Sequence, residues 1–228
     1  MNKGVILIIA ILSGLFHGQT SAQNGLFQGV YISAHLPYQN TQGGLNGNSV
    51  LVTPSEVFLV PQVDGGAGFG FGIGVRYEGN VFEFTYDRTA HLVTFAGAEG
   101  KALLRVYSLD YLYFFNRNSP VQPYIQFGWL PGMSLKVFDA SASIANSEDV
   151  RDARIVGSIG TIHAGLGTGF FILPRLEIRG GVTYRMGKYT GVVGGKDIVA
   201  AHIEEPIRGN GLNARVSLNV LLSKPKSN

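Results

Sequence analysis

The sequence contains no cysteine, which excludes disulfides, thiolate metal sites and cysteine nucleophiles. Charge is scarce too: Asp, Glu, Lys and Arg make up 14% of the chain, against roughly a quarter in an ordinary soluble domain. The formal net charge is only +3 and no basic run stands out, so no nucleic-acid partner is expected. No segment of useful length has a helical period, which argues against a parallel α/β sheet. What the chain does have is 32 glycines, 14 Phe and 10 Tyr, with a mean hydropathy of +0.17.

Residues 1–22 read as a processing segment. Lys3 supplies a positive start, Val5 to Phe16 an apolar run, and Thr20-Ser21-Ala22 small residues for cleavage before Gln23. The run is shorter than the roughly 20 apolar residues a transmembrane helix needs. The expectation is a signal peptide over 1–22 and a single domain over 23–228.

The stretch from Ala67 to Asp87 sets the fold. Its first arm places Phe69, Phe71, Ile73, Val75 and Tyr77 on one parity, and Gly68, Gly70, Gly72, Gly74 and Arg76 on the other. After Gly79-Asn80, Phe82, Phe84 and Tyr86 alternate with Glu83, Thr85 and Asp87. Period-two alternation predicts two strands joined by a tight turn. A face of glycines and charges is poor material for a solvent-facing surface. It suits the crowded interior of a narrow closed barrel, with the aromatic face turned outward into lipid.

The same pattern recurs along the chain. A first strand is expected from about Leu26 to Leu36, with further strands over Leu103–Phe114, Val121–Met133, Thr161–Ile172, Leu176–Met186 and Leu212–Leu222. Together with the two arms of the hairpin these make eight. Pro37–Asp64, Lys136–Ser158 and Thr190–Gly209 read as long loops, the first with a short ribbon over Val50–Val60 bounded by Pro54 and Pro61, and Thr89–Lys101 as a moderate one. Asn116–Pro120 and Leu173–Arg175 read as short turns. Short connections on one rim and long ones on the other are the pattern of transmembrane barrels, and lipid demands closure because an open edge would strand backbone polar groups.

The signal, the eight alternating strands and the turns at Gly79-Asn80, Asn116–Pro120 and Leu173–Arg175 together resemble the small eight-stranded outer-membrane β-barrels of Gram-negative bacteria, the OmpX and OmpA-barrel types. The resemblance covers the chain after residue 22. It implies an all-β, antiparallel up-and-down transmembrane barrel in the outer membrane, a monomer, without cofactor. The implied partners are outer-membrane lipid, lipopolysaccharide, the barrel-insertion machinery and surface proteins met through the long loops. Such barrels often end on an aromatic residue that the insertion machinery reads. Here the last strand ends Val220-Leu221-Leu222, followed by six further residues.

Parity places Arg76, Arg179, Arg185 and Arg215 in the lumen against Glu83, Asp87, Asp110 and Glu177. Four charges of each sign predict a salt-bridged plug, since unpaired charge is costly in a closed interior. A narrow path for small solutes or ions is the competing reading. Tyr111, Tyr113, Trp129, Tyr184 and Tyr189 fall near strand ends, where amphipathic rings favour the membrane interface. Catalysis finds little support: His163 reads as the one mid-strand histidine, Ser158 lies five residues before it, and no Gly-x-Ser-x-Gly elbow exists. His35, His91, His163 and His202 lack metal-ligand spacing. The expected function is a closed, polar-cored scaffold that displays loops for envelope integrity or surface interaction. A porin-like channel and a soluble lipocalin-like carrier stay open as alternatives.

Overall fold

The computed structural model describes residues 29–41, 44–45, 49–53, 56–59, 61–95, 98–115, 119–138, 154–173, 175–193 and 201–222. The expected signal segment lies outside them. Fourteen strands follow in order: Gly29–Thr41 (β1), Ser49–Thr53 (β2), Glu56–Leu59 (β3), Gln62–Val63 (β4), Gly66–Tyr77 (β5), Asn80–Phe95 (β6), Ala98–Phe114 (β7), Val121–Phe138 (β8), Arg154–Gly157 (β9), Thr161–Leu173 (β10), Leu176–Met186 (β11), Lys188–Val193 (β12), Ala201–Arg208 (β13) and Gly211–Leu221 (β14).

Eight of these close an antiparallel barrel in the order β1-β5-β6-β7-β8-β10-β11-β14, and β14 returns to pair with β1 along Tyr31↔Leu221 to Thr41↔Gly211. Closure leaves none of the eight with an open edge at barrel level, the condition for a sheet in hydrocarbon. Both chain-terminal strands put their outer ends on one rim, which also carries the short β5–β6, β7–β8 and β10–β11 turns. By the rule for transmembrane barrels that rim is periplasmic and the opposite one extracellular.

The side chains divide as alternation predicts. Phe71 is 57% exposed, whereas Asp87, on the lumen side of the partner strand, is 1% exposed. Leu36, Ile73, Phe82, Leu109, Phe127, Leu166, Val182 and Val216 all face outward. An apolar, aromatic exterior running round a closed sheet needs lipid as its solvent. The soluble-carrier reading requires the inverse facing.

Three parts of the structure differ from the sequence expectation. Residues 89–101 are not a loop: β6 and β7 stay paired from Asn80↔Tyr113 up to Phe95↔Ala98, a hairpin with two intervening residues. Thr89, Val93 and Ala102 pack inward there, and an interior run of that kind keeps a ladder going. β8 runs to Phe138, past the predicted stop at Met133. Its register against β7 shifts between Tyr107 and Leu109, so the inward parity moves from Leu130 to Met133 across Pro131 and Gly132. That bulge hid the strand's second half from a parity count.

The long connections also hold β-structure. β2 and β3 form the short ribbon expected near Val50–Val60, while β4 pairs the upper end of β6 and β9, β12 and β13 extend the wall from β8, none of which the sequence pattern showed. β4, β9, β12 and β13, with the upper ends of β6, β7 and β8, contribute to an apolar core at the extracellular end, including Leu104, Leu135, Ile155, Tyr189, Val192 and Ile203. Tyr189 is therefore not an interfacial ring. It is 0% exposed: its place at a strand end suggested the interface, but it keeps the inward parity of Glu177 and Arg185 and packs into the core.

Candidate functional site

Between the two rims the lumen is filled by one chain of ion pairs. Arg76 Nη1 lies 3.3 Å from Glu177 Oε1. Arg179 donates Nη2 to Glu177 Oε2 at 2.8 Å and Nη1 to Glu83 Oε2 at 3.0 Å. Glu83 reaches His35 Nε2 at 3.4 Å, and His35 Nδ1 reaches Asp87 Oδ1 at 3.2 Å. Arg215 then joins Asp87 (2.9 Å) to Asp110 (3.7 Å), and Asp110 ends the chain at His163 Nε2, 2.6 Å away. These residues come from β1, β5, β6, β7, β10, β11 and β14; the eighth strand, β8, contributes Gln122, whose Oε1 accepts from Arg76 Nη2. Every wall of the barrel is thus tied to the middle.

Small wall residues make room for these groups. A Cβ on Gly128 would stand 2.0 Å from His163 Nε2 and 2.1 Å from Asp110 Oδ1, and one on Gly70 would stand 2.1 Å from Asp87 Oδ1. The glycine face of β5 is a surface on which Asp87 and Glu83 of β6 and Ser33 and Tyr31 of β1 lie.

Seven of the eight lumen charges read from the sequence belong to this chain. Arg185 does not: it donates Nε to Gly209 O at 3.0 Å and Nη1 to Gln39 Oε1 at 3.1 Å, near the extracellular end of the lumen. Its two acceptors are neutral, a backbone carbonyl and an amide. Sequence reasoning missed His35, which lies mid-strand in β1, as His91 does in β6. His163 is therefore not alone in that position. The signal for His35 was its shared parity with Tyr31 and Ser33.

The His35 neighbourhood resembles a hydrolase triad in its connectivity. Ser33 Oγ lies 2.7 Å from His35 Nε2, while His35 Nδ1 faces Asp87. Yet Ser33 Oγ also donates to Glu83 Oε1 at 2.9 Å. All three contacts are satisfied together only if both ring nitrogens carry protons, which leaves no base to take a proton from Ser33. An imidazolium there also brings four cations (Arg76, Arg179, Arg215 and His35) to four carboxylates. Ser33, His35 and Asp87 are all buried in the lumen. The geometry is that of a structural network. Ser158 is engaged at the β9–β10 turn, accepting from Gly160 N at 3.2 Å. Among the described residues no group of three or more potential ligands could hold a metal ion.

Both ends of the network are capped by apolar groups. Toward the periplasm Tyr31, Val81, Leu112, Phe114, Tyr124 and Leu221 form a buried cluster, with the Arg76 guanidinium 4.1 Å over the Phe114 ring. Toward the exterior lies the larger core described above. Beside Arg179 a cavity of about 10 Å³ is lined by Gln126, Thr183 and Asn213, room for about one water. Three of its lining residues carry a buried polar atom with no hydrogen-bond partner: Arg179 Nε, Thr183 Oγ1 and Asn213 Oδ1.

Of the aromatics expected at the interface, Tyr111 and Tyr113 lie on the outward parity near the periplasmic rim, where Tyr111 donates to Asn80 Oδ1 at 2.7 Å. Trp129 and Tyr184 face outward nearer the extracellular rim, 42% and 40% exposed. Tyr189 sits in the extracellular core, where burial raises its phenol above the usual range.

A closed eight-stranded barrel with an apolar exterior and a charge-paired interior defines the class: a transmembrane β-barrel of the small outer-membrane type. Solved structures share this fold. The outer membrane protein OprG from Pseudomonas aeruginosa is similar at 13% identity, covering 85% of this chain and 95% of that one with a TM-score of 0.55. Neisserial surface protein A is similar at 14% identity, covering 86% of this chain and 98% of that one with a TM-score of 0.52. Such likeness is one of fold. No family model and no curated protein sequence matches the chain.

Proposed function

We propose that this protein is an outer-membrane scaffold with a sealed lumen, which holds its extracellular β-structure at the cell surface for envelope integrity or surface contacts. The observation that carries the reading is the fill of the lumen, with an aromatic cluster, a nine-residue ion-pair chain and an apolar core stacked along the axis. An eight-stranded barrel has only enough interior for its own side chains. A conducting path would need this chain broken, at the cost of leaving charge unpaired in a low-dielectric interior. The extension built from β9, β12 and β13 supports a display role, since a rigid frame commonly carries recognition on its connections. Its partners on this reading are lipopolysaccharide and a surface protein, with the insertion machinery acting on the way to the membrane.

The test is planar-bilayer recording of the refolded full chain, once a heat-modifiable band on gels has established the inserted barrel. The expected result is no stepwise conductance, and none on replacing Glu83 with Gln. Steady channels whose conductance changes in Glu83→Gln or Arg179→Gln would make the protein a narrow pore and overturn the scaffold reading.

A further inference from the structure

Going up the outer face of β6 and β7 from the periplasmic rim, Phe82, Phe84 and Tyr86 and their partners Tyr111, Leu109 and Tyr107 make an unbroken apolar and aromatic surface. The Tyr86 and Tyr107 rings touch at 5.0 Å between centroids. In the next outward row Arg88 stands directly opposite Arg105. Like charges facing each other across a ladder, with Cα atoms about 5 Å apart, destabilise a sheet unless something lies between them. Among the described residues no ion pair reaches either arginine, and Arg105 Nε is buried with no hydrogen-bond partner.

Cations continue on the same face. One outward row higher Leu103 pairs Lys136, which pairs Arg154 of β9, and Lys101 follows on β7. Among the described residues two acids lie on this side above the arginine row: Glu99, one outward position beyond Lys101, and Asp64, whose N–H donates to Leu92 O at 3.0 Å beside the upper end of β6. The site therefore has two guanidiniums at its base, further cations above and beside them, and aromatic rings below.

We propose that this rim binds the phosphate groups of outer-leaflet glycolipid, with Arg88 and Arg105 sharing one phosphate. The inference rests on the barrel spanning the outer membrane as read above. Guanidinium donors match phosphate oxygens in pairs, and an anion held between the arginines turns their repulsion into attraction. Depth selects a lipid over a soluble polyanion. The row lies one ladder step above rings that face hydrocarbon, so these side chains reach sideways at headgroup level and not upward from a loop tip.

Native mass spectrometry of the full chain in detergent tests this, using bisphosphorylated lipid A and the same glycolipid without phosphates. The phosphorylated form should be retained about tenfold more strongly, a difference of about 1.4 kcal/mol. Arg88→Gln with Arg105→Gln should abolish the preference, while Arg175→Gln on the opposite rim should keep it. Arg88→Lys with Arg105→Lys should retain part of it. Equal retention of the two glycolipids by the unaltered chain overturns the proposal whatever the variants do. So does a preference that survives in a double Gln variant still showing the heat-modifiable shift. Inositol hexakisphosphate binding the chain as tightly as lipid A would assign the rim to soluble polyanions and also overturn it. Each reading assumes the folded band, so a chain that never shows the shift fails the barrel and not this site.

Discussion

Arg179 on β11 and Glu83 on β6 meet at 3.0 Å across the full width of the barrel, because their strands stand four positions apart in a ring of eight. The contact is a strut between opposite walls. Arg179 also holds Glu177, so removing its guanidinium leaves two buried carboxylates short of a cation. Arg179→Met is expected to destabilise the barrel by about 3–5 kcal/mol, the usual result of breaking a buried pair from one side. Urea unfolding in lipid vesicles, followed by loss of the heat-modifiable band, measures it. Adding Glu83→Gln should recover part of the loss, and strictly additive effects would show that the strut is not coupled.

Two glycines in similar strands should respond in opposite ways. Gly128 faces the lumen against His163 and Asp110, whereas Gly180 faces outward, and a Cβ added there would meet nothing within 4 Å. Gly128→Ala is expected to cost about 1–3 kcal/mol through overpacking. Gly180→Ala should be neutral or slightly stabilising, since alanine restricts the unfolded chain. The same urea assay reads both, and equal effects would mean that the close approach at Gly128 has no energetic weight.

Facing was legible because alternation is a local property: Phe71 and Gly72 lie on opposite sides of a strand whatever else the protein does. Lumen membership of Glu83, Asp110 and Arg215 followed from parity alone. Pairing did not, because which carboxylate meets Arg215 depends on the register of strands 128 residues apart in sequence. The extracellular core was hidden for a different reason. Leu104 and Val106 of that core share the inward parity of Ser108 and Asp110, but Met133, Leu135, Ile155 and Val192 lie beyond the Leu130–Gly132 bulge or in short strands such as β9 and β12, where parity is reset and no long alternating run survives.

Trp129 is the single tryptophan of the chain and faces outward near the extracellular rim, with its Nε1 donating to Ile159 O. Its fluorescence in reconstituted vesicles should be blue-shifted. Quenching should be stronger by lipids labelled near the headgroup than by lipids labelled at the chain ends, as for an interfacial ring. Water-like emission untouched by either label would remove Trp129 from the membrane, and with it the assignment of this face to lipid.

Tyr189 tests whether the extracellular connections are a folded body. Its ring is buried among Met133, Ile155 and Val192, while its hydroxyl has no hydrogen-bond partner. The two halves of the side chain therefore pull in opposite directions: the ring stabilises the extension, and the stranded hydroxyl detracts from it by about 1–3 kcal/mol. Tyr189→Phe keeps the ring and removes the orphan, so it should leave the extension as stable or make it more so. Tyr189→Ala removes both and opens a cavity, an expected loss of about 3–5 kcal/mol by analogy with Phe→Ala in other cores. Trypsin applied to intact vesicles separates the outcomes, since Arg154, Lys188 and Arg208 all lie on this extension. Cleavage should be slowest in Tyr189→Phe and fastest in Tyr189→Ala, while the barrel keeps its heat-modifiable shift throughout. Equal cleavage of all three chains would mean that β9, β12 and β13 behave as loops, leaving the ion-pair network and the periplasmic cluster to seal the lumen without them.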